Sequence, residues 1–227
     1  MVKLKKKISV IIRVKNEEQW VGHCIQSVLD FIDKPEIIIV DDNSTDKSIK
    51  ISSLFIEDPN LEKKNKNYTK IKFVKINNYT PGKAINLGVK NSSNQYILVI
   101  SAHCILKKMN TDKLIDYLHQ NIAVFGNQIP ILNGKKIKRR YIWSHFADKN
   151  VINMFSKFEN RYFFHNALSF FKKETLIKYP FDENLYGKED RYWAASMINN
   201  HKKNIIYSTD FEAEHNYTIN GSTWKNF

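Results

Sequence analysis

Glycine and proline are scarce in this chain of 227 residues, at seven and five. Their scarcity excludes collagen-like, repeat-linker and low-complexity architectures and leaves a packed globular protein. Cysteine is nearly absent. Cys24 and Cys104 stand far apart and fit neither a CxxC pair nor a zinc spacing, which points to a reducing compartment. No run approaches the roughly 20 apolar residues of a membrane span. The apolar stretch 8–12 that follows the basic N-terminus is broken by Arg13 and Lys15, too soon for a signal peptide. A cytoplasmic protein is expected, with the lysines at 3–7 and the basic cluster at 135–140 as candidate contacts to an anionic membrane surface.

Arginine is sparse as well. The formal net charge is +13, from 36 Lys plus Arg less 23 Asp plus Glu, yet only Arg13, Arg139, Arg140, Arg161 and Arg191 are arginines. Guanidinium forks dominate specific base and phosphate readout, whereas lysine with abundant asparagine and isoleucine is what an AT-rich coding bias produces. A nucleic-acid partner has only bulk charge in its favour, and none is expected.

What the chain does have is 42% apolar residues and, in its first half, short apolar runs alternating with helical periodicity. Residues 8–12 read as a strand buried on both faces, and 17–31 as a helix with Trp20, Val21, Cys24, Ile25, Val28 and Leu29 at helical spacing. The pattern returns as strand 36–40, a capped helix 49–56, strand 71–76, a helix near 83–90 and strand 96–100. The polar stretch 61–70 reads as a solvated loop. Later, 122–125, 163–172 and 204–207 read as strands and 188–200 as a helix, while 133–157 has no clear period and reads as a loop or helical excursion. Such units predict an α/β protein with helices covering a parallel sheet and ligands at the carboxyl ends of the strands.

Asp41 and Asp42 stand at one such strand end, ahead of the turn Asn43-Ser44-Thr45. Helix capping explains Ser44 or Thr45 but not two adjacent carboxylates, which can accept from ribose hydroxyls and base N–H groups. Residues 8–18 lie upstream and Thr80-Pro-Gly-Lys83-Ala-Ile-Asn86-Leu-Gly88 downstream. Then come Ser101-Ala102-His103, Gly126-Asn127-Gln128-Ile-Pro130, Phe164-His-Asn166-Ala and Gly187-Lys-Glu189-Asp190-Arg-Tyr-Trp193. In this order and spacing, the chain resembles family 2 glycosyltransferases over nearly its whole length. The resemblance implies the GT-A fold, an αβα sandwich with a mixed, mostly parallel sheet. It implies a single domain, with a nucleotide-sugar-binding half at 1–104 and an acceptor-binding and catalytic half at 105–227. By position it assigns Arg13, Asn16, Glu17, Asp41, Asp42, Lys83 and Ser101 to a nucleoside diphosphate sugar. Arg13 and Lys15 replace groups that are neutral in many relatives, and either pair with the diphosphate or face solvent at the rim.

Most relatives hold a divalent cation, Mn²⁺ or Mg²⁺, between the donor phosphates with Asp-x-Asp. Here Ser101-Ala102-His103 takes that place, and the resemblance makes His103 and the later His215 the candidate metal ligands. Neutral imidazole adds no negative charge and suits these cations less well than carboxylate oxygen. A structural, hydrogen-bonded role is the alternative for both, and it is the expectation for His23, His119, His145, His165 and His201. Asp190 is implied as the base that takes the acceptor proton, with Glu189 orienting the site; an acidic first turn complementing the helix dipole is the alternative. Asn127, Gln128 and Asn166 offer uncharged amides to an acceptor, or are turn and strand-end residues. Trp193 either stacks on a sugar or belongs to the core. The implied function is inverting transfer of a sugar to a glycan or lipid-linked acceptor in bacterial capsule, lipopolysaccharide or other surface polysaccharide biosynthesis. The alternative is a catalytically inactive nucleotide-sugar or glycan binding module.

Overall fold

The computed structural model describes residues 8–56, 70–138, 141–219 and 221, without the side chains of 141 and 142. The lysines at 3–7, nearly all of the expected loop 61–70, and Arg139 and Arg140 lie outside the described residues. The continuous apolar runs become four parallel strands, β1 (Ile8–Val14), β2 (Glu36–Asp41), β3 (Lys70–Lys75) and β4 (Tyr96–Ser101), in the order β3-β2-β1-β4. Three helices connect them: α1 (Val21–Phe31), α2 (Ser48–Ser53) and α3 (Pro81–Asn91).

The second half continues through β5 (Cys104–Met109), α4 (Thr111–Gln120), β6 (Ala123–Leu132) and β7 (Lys135–Lys136) to a 3-10 turn, Tyr141–His145. Three two-residue strands follow, β8 (Val151–Ile152), β9 (Phe155–Ser156) and β10 (Arg161–Tyr162), and then β11 (Leu168–Lys172), α5 (Lys173–Lys178) and α6 (Glu189–Ala195). After α6 the chain makes a π turn, Ser196–Asn200, and ends in β12 (Ile205–Asn216). The sheet runs on from β4 through β11, β6 and β12 to β5. β11 is antiparallel to both β4 and β6, whereas β12 is parallel to β6 and antiparallel to β5.

Several elements differ from the expectation. The stretch 133–157 supplies β7, the 3-10 turn, β8 and β9 rather than one loop, because two-residue edge strands carry no readable period. β5, α4 and α5 were not anticipated, and the last strand runs on to Asn216. That extension alternates buried Phe211, Ala213 and His215 with partly exposed Glu212 and Glu214, the signature of a half-buried strand.

Alternation on the central strands divides the core between the two faces. Val10, Ile12, Ile37, Ile39 and Leu98 pack with α1 and α4, whereas Ile11, Ile38, Val40, Ile97 and Val99 pack with α3, α5 and α6. Two glycines set close approaches on the second face. A Cβ on Gly88 would lie 2.5 Å from Ile11 Cγ2, and one on Gly82 would lie 2.4 Å from the carbonyl oxygen of Asp182. Asn86, on the same helix, donates to Phe181 O at 2.8 Å and accepts from Phe181 N at 3.1 Å. Thus α3 clamps the segment that leads into α6. Elsewhere asparagine does the work that scarce glycine would do: of nine non-glycine residues with positive φ among those described, six are asparagine, at 16, 43, 78, 133, 153 and 160.

At the amino end of the parallel strands, Glu36 is buried yet fully engaged. It meets Lys72 Nζ at 2.7 Å and accepts from Ser9 Oγ, from Ser93 N at 2.7 Å and from Ser93 Oγ at 2.8 Å. Burial pushes its pKa up, but the Lys72 ammonium and the Ser9 and Ser93 donors outweigh burial and hold it at about 2. Because the folded value lies below the unfolded one, this stabilisation is complete above the ordinary carboxylate range and is lost as pH falls toward 2. Glu36→Gln is expected to cost about 3 kcal/mol near neutrality, and urea unfolding should show the gap to wild type closing as the pH is lowered to 3.

Candidate active site

The carboxyl ends of β1, β2 and β4 lie level, with Val14 opposite Asp41 and Arg13 opposite Ser101. The loops leaving β1 and β2 are zipped together. Ser44 Oγ accepts from Asn16 N at 3.0 Å, Ser48 Oγ from Glu17 N at 2.7 Å, and Asn16 Oδ1 from Thr45 N at 2.7 Å. Asp41 turns onto its own loop and accepts from Ser44 N at 3.1 Å, while Asp42 meets Lys15 at 3.5 Å.

Behind this rim runs a chain of buried polar side chains. Glu17 Oε1 lies 3.0 Å from His103 Nδ1, His103 Nε2 lies 3.1 Å from His215 Nε2, and His215 Nδ1 lies 2.7 Å from Gln128 Oε1. Gln128 Nε2 completes the chain at 2.9 Å from His165 Nδ1. Its polarity follows from the far end. Ala167 N–H also points at His165 Nδ1, at 3.3 Å, so that nitrogen accepts, the Gln128 amide N donates, and its oxygen accepts from His215 Nδ1–H. Burial lowers the pKa of His165 to about 3 and that of His215 well below its usual value, reinforced in His215 by His103 and His165. Neutral His215 therefore offers Nε2 as an acceptor to His103. The pairing of His103 with His215 depends on β12 outrunning β4, so that His215 stands opposite Cys104 in β5 and Pro130 in β6.

On the opposite wall Lys188 adopts a left-handed φ of 64° and turns the chain into α6, presenting Glu189 and Asp190. Arg13 Nη1 lies 3.5 Å from Glu189 Oε1. Both carboxyls have raised pKa values. For Glu189 the causes are burial and the neighbouring Asp190 charge, opposed by Arg13 and by the Asn166 side chain that lies against it. For Asp190 burial is opposed by the Arg191 N–H and by the charges of Arg191 and Arg13. A carboxylate with raised proton affinity beside fixed cations is suited to take a proton from a hydroxyl while negative charge develops nearby.

Comparison with known proteins gives the family. The family model described as Glycosyl transferase family 2 matches residues 9–179. The chain belongs to glycosyltransferase family 2. Among family 2 relatives it is 25% identical over 234 residues to the poly(ribitol-phosphate) beta-N-acetylglucosaminyltransferase TarP of Staphylococcus aureus, covering 96% of this chain and 68% of that protein. It is 26% identical over 212 residues to the minor teichoic acid biosynthesis protein GgaA of Bacillus subtilis, covering 86% of this chain and 44% of that protein. An uncharacterized glycosyltransferase of Rickettsia felis is 32% identical over 122 residues, which are 53% of this chain but 19% of that relative. The chain thus spans well under half the length of several curated relatives. The structure of S. aureus TarS residues 1–349 in complex with UDP-GlcNAc superposes with a TM-score of 0.68 at 20% identity, covering 97% of this chain and 61% of that one. That likeness places the fold in the GT-A group.

Within this family 2 site, the structure brings Glu17, His103 and His215 together on one side and Arg13, Glu189, Asp190 and Asn166 on the other. Other residues implicated from sequence lie elsewhere. Trp193 is 5% exposed among Phe164, Phe171 and Phe181 and donates its indole N–H to Tyr179 O at 2.8 Å, a core position with no face left for a sugar. Gln128 is fully buried in the histidine chain, and Asn127 donates to Glu212 at 2.7 Å, so neither amide faces an acceptor directly. Lys83 Nζ donates to Asn77 O at 2.9 Å at the rim, and Ser101 N to Ala167 O at 3.1 Å. His165 takes the structural, hydrogen-bonded role expected of it; the link that Gln128 makes from it to His215 has no spacing signal in one chain. Sequence reasoning passed over Arg161 and Arg191, although in a chain with five arginines each deserved weight.

The donor set for a divalent cation is partial. Two nitrogens 3.1 Å apart match neighbouring ligands on one ion, about 3 Å for bonds near 2.1 Å at a right angle. Among the described residues no group of three His, Cys, Asp or Glu closes around an ion. The residues therefore fit an ion whose remaining ligands are oxygens from a bound phosphate or water, and the nitrogens suit a transition metal better than Mg²⁺.

Arg13→Gln removes the cation facing both acidic groups. The acid limb of a pH–rate profile is expected to move to higher pH, because the Glu189–Asp190 pair then protonates more readily, and thermal unfolding should register a loss of about 1–3 kcal/mol.

Proposed function

We propose that the chain transfers one sugar, with inversion at the anomeric carbon, from a nucleoside diphosphate sugar to a hydroxyl of a glycan or lipid-linked acceptor in bacterial surface polysaccharide assembly. The observation that carries this reading is the Glu189–Asp190 pair, held with raised pKa values against Arg13 at the carboxyl end of β1. Asp190 takes the proton of the acceptor hydroxyl as its oxygen attacks the anomeric carbon. The bond from that carbon to the diphosphate breaks, and the electron pair leaves on the diphosphate. Glu189, paired with Arg13, sets the position of the base. The loops at 15–18 and 42–46 receive the nucleoside. A solved relative named as a complex with UDP-GlcNAc supports a uridine diphosphate sugar as the first donor to try.

A divalent cation, Mn²⁺ before Mg²⁺, completes the proposal: His103 Nε2 and His215 Nε2 would hold it in place of the proton between them, and the chemistry it would supply is positive charge beside the leaving diphosphate. A binding module without catalysis is the second reading, favoured by the two-nitrogen donor set in place of paired carboxylates. Formation of a glycosylated product from UDP-GlcNAc and a screened acceptor decides between them.

Asp190→Asn is expected to leave UDP binding nearly unchanged and to lower turnover by at least about 100-fold; substantial residual transfer would remove Asp190 from the role of base. His103→Ala should abolish the dependence of UDP affinity on added Mn²⁺, read by calorimetry with and without chelator. Equal affinity of the wild-type chain in both conditions would remove the cation from the mechanism.

A further inference from the structure

Three of the five arginines belong to the described residues, and all three converge on the base. Arg13 pairs with Glu189 at 3.5 Å. Arg161, in β10, pairs with Glu159, a carboxylate that also meets His145 Nε2 at 2.9 Å and so divides its charge between two partners. The Arg161 Nε lies buried with no hydrogen-bond partner among the described residues. Arg191, in α6, makes no side-chain hydrogen bond or ion pair with any described residue; only its backbone N–H is engaged, by Asp190 Oδ1 at 2.8 Å. β10 packs directly against α6. The two guanidiniums feel each other: burial and the charge of Arg191 lower the pKa of Arg161. Glu159 and Asp190 offset these two neighbouring cations only in part, since the pKa of Arg161 stays lowered, which is an unfavourable arrangement in the free protein. An added anion would relieve it.

The position of the pair indicates which anion. It lies on the Asp190 side of the site. The β9–β10 hairpin that carries Arg161 opens to solvent, with Phe158 98% exposed between its strands, and Tyr192, next to Arg191, is 59% exposed. A long acceptor can therefore lie across this edge. Guanidinium forks engage two oxygens each, and a tetrahedral phosphate presents oxygens to two forks at once, which a carboxylate does less well.

We propose that Arg161 and Arg191 form a phosphate subsite for the acceptor, and that this chain acts on an acceptor that carries a phosphodiester beside the hydroxyl to be glycosylated. This rests on the transferase reading, in which Asp190 meets the acceptor hydroxyl. The subsite binds the phosphate next to the reacting unit and sets which hydroxyl reaches the base. When Asp190 takes up its proton, Arg191 loses the nearest negative charge, and the bound phosphate supplies a counter-charge.

The test uses the full chain and a fluorescently labelled, short glycerol phosphate oligomer, followed by anisotropy in the presence of saturating UDP, with labelled maltotetraose as the neutral control. Wild type is expected to bind the oligomer with a steep salt dependence and to bind maltotetraose far more weakly. Arg191→Gln and Arg161→Gln should each weaken the oligomer by about tenfold, with Arg→Lys at either position recovering only part of the loss. UDP affinity should stay unchanged, which also reports that the variants are folded. Lys202→Gln with Lys203→Gln, on a basic surface at the opposite end of the sheet, should leave oligomer binding intact. Oligomer binding that ignores both arginine substitutions, or that matches maltotetraose, overturns the subsite. Loss of UDP affinity with retained oligomer binding overturns it too, by assigning the pair to the donor diphosphate. Failure of the wild-type chain to bind UDP at all is a separate result, and it overturns the transferase reading itself.

Discussion

The polar side chains between Glu17 and His165 meet one another in the interior, and the site is organised around satisfying them. Glu17 follows β1, His103 follows β4, Gln128 lies in β6, His165 precedes β11 and His215 lies in β12. Each contributes one contact to the next. Leaving any one group unpaired in this setting costs about 1–3 kcal/mol, so the chain acts as a register device. It holds the carboxyl ends of the parallel strands and the later strands in a single relative position. The Glu17 Oε2 atom, buried without a hydrogen-bond partner among the described residues, is the one loose end and points to where a ligand or water would complete the set.

The opposite wall is governed by charge rather than by neutral hydrogen bonds. Burial raises the proton affinity of Glu189 and Asp190, and arginine limits the rise. The outcome is a pair of carboxyls whose proton affinity lies above the ordinary carboxylate range. The surplus positive charge of the chain means little by itself. Its described lysines are mostly solvated, whereas the few described arginines are concentrated where the acidic pair sits.

The first four strands and their helices were legible because each apolar run is continuous and each helix repeats at 3.6 residues; in β1, Ile8 to Ile12 has no polar interruption other than Ser9. The later half was legible only in pieces. β5 carries Lys107 and Lys108 amid its apolar residues, β8 to β10 have two residues each, and the helical period of α4 is diluted by charge. Asp190, His103 and His215 were legible as candidates through their place in an ordered set of motifs. The contact between Gln128 and His165 was not, since nothing in Gly-Asn-Gln-Ile-Pro or Phe-His-Asn announces a partner that tertiary packing supplies. Trp193, open in the sequence between a sugar and the core, lies one turn from Asp190 on the helix flank that faces the core. Asn86 and Gly88 were read as part of a family pattern, and the structure shows what they do, one clamping the chain near Phe181 and the other letting α3 lie on Ile11.

The position of β12 between β6 and β5 has a consequence for how the protein comes into being. A ribosome delivers the loops after β1 and β2 and His103 well before it delivers Ile205 to Asn216, yet the sheet has no completed far side until that strand enters. During synthesis β5 and β6 must wait with apolar faces uncovered, because the strand that joins them is still inside the exit tunnel. The nascent chain therefore has its first four strands formed and its histidine chain open until β12 slides into place.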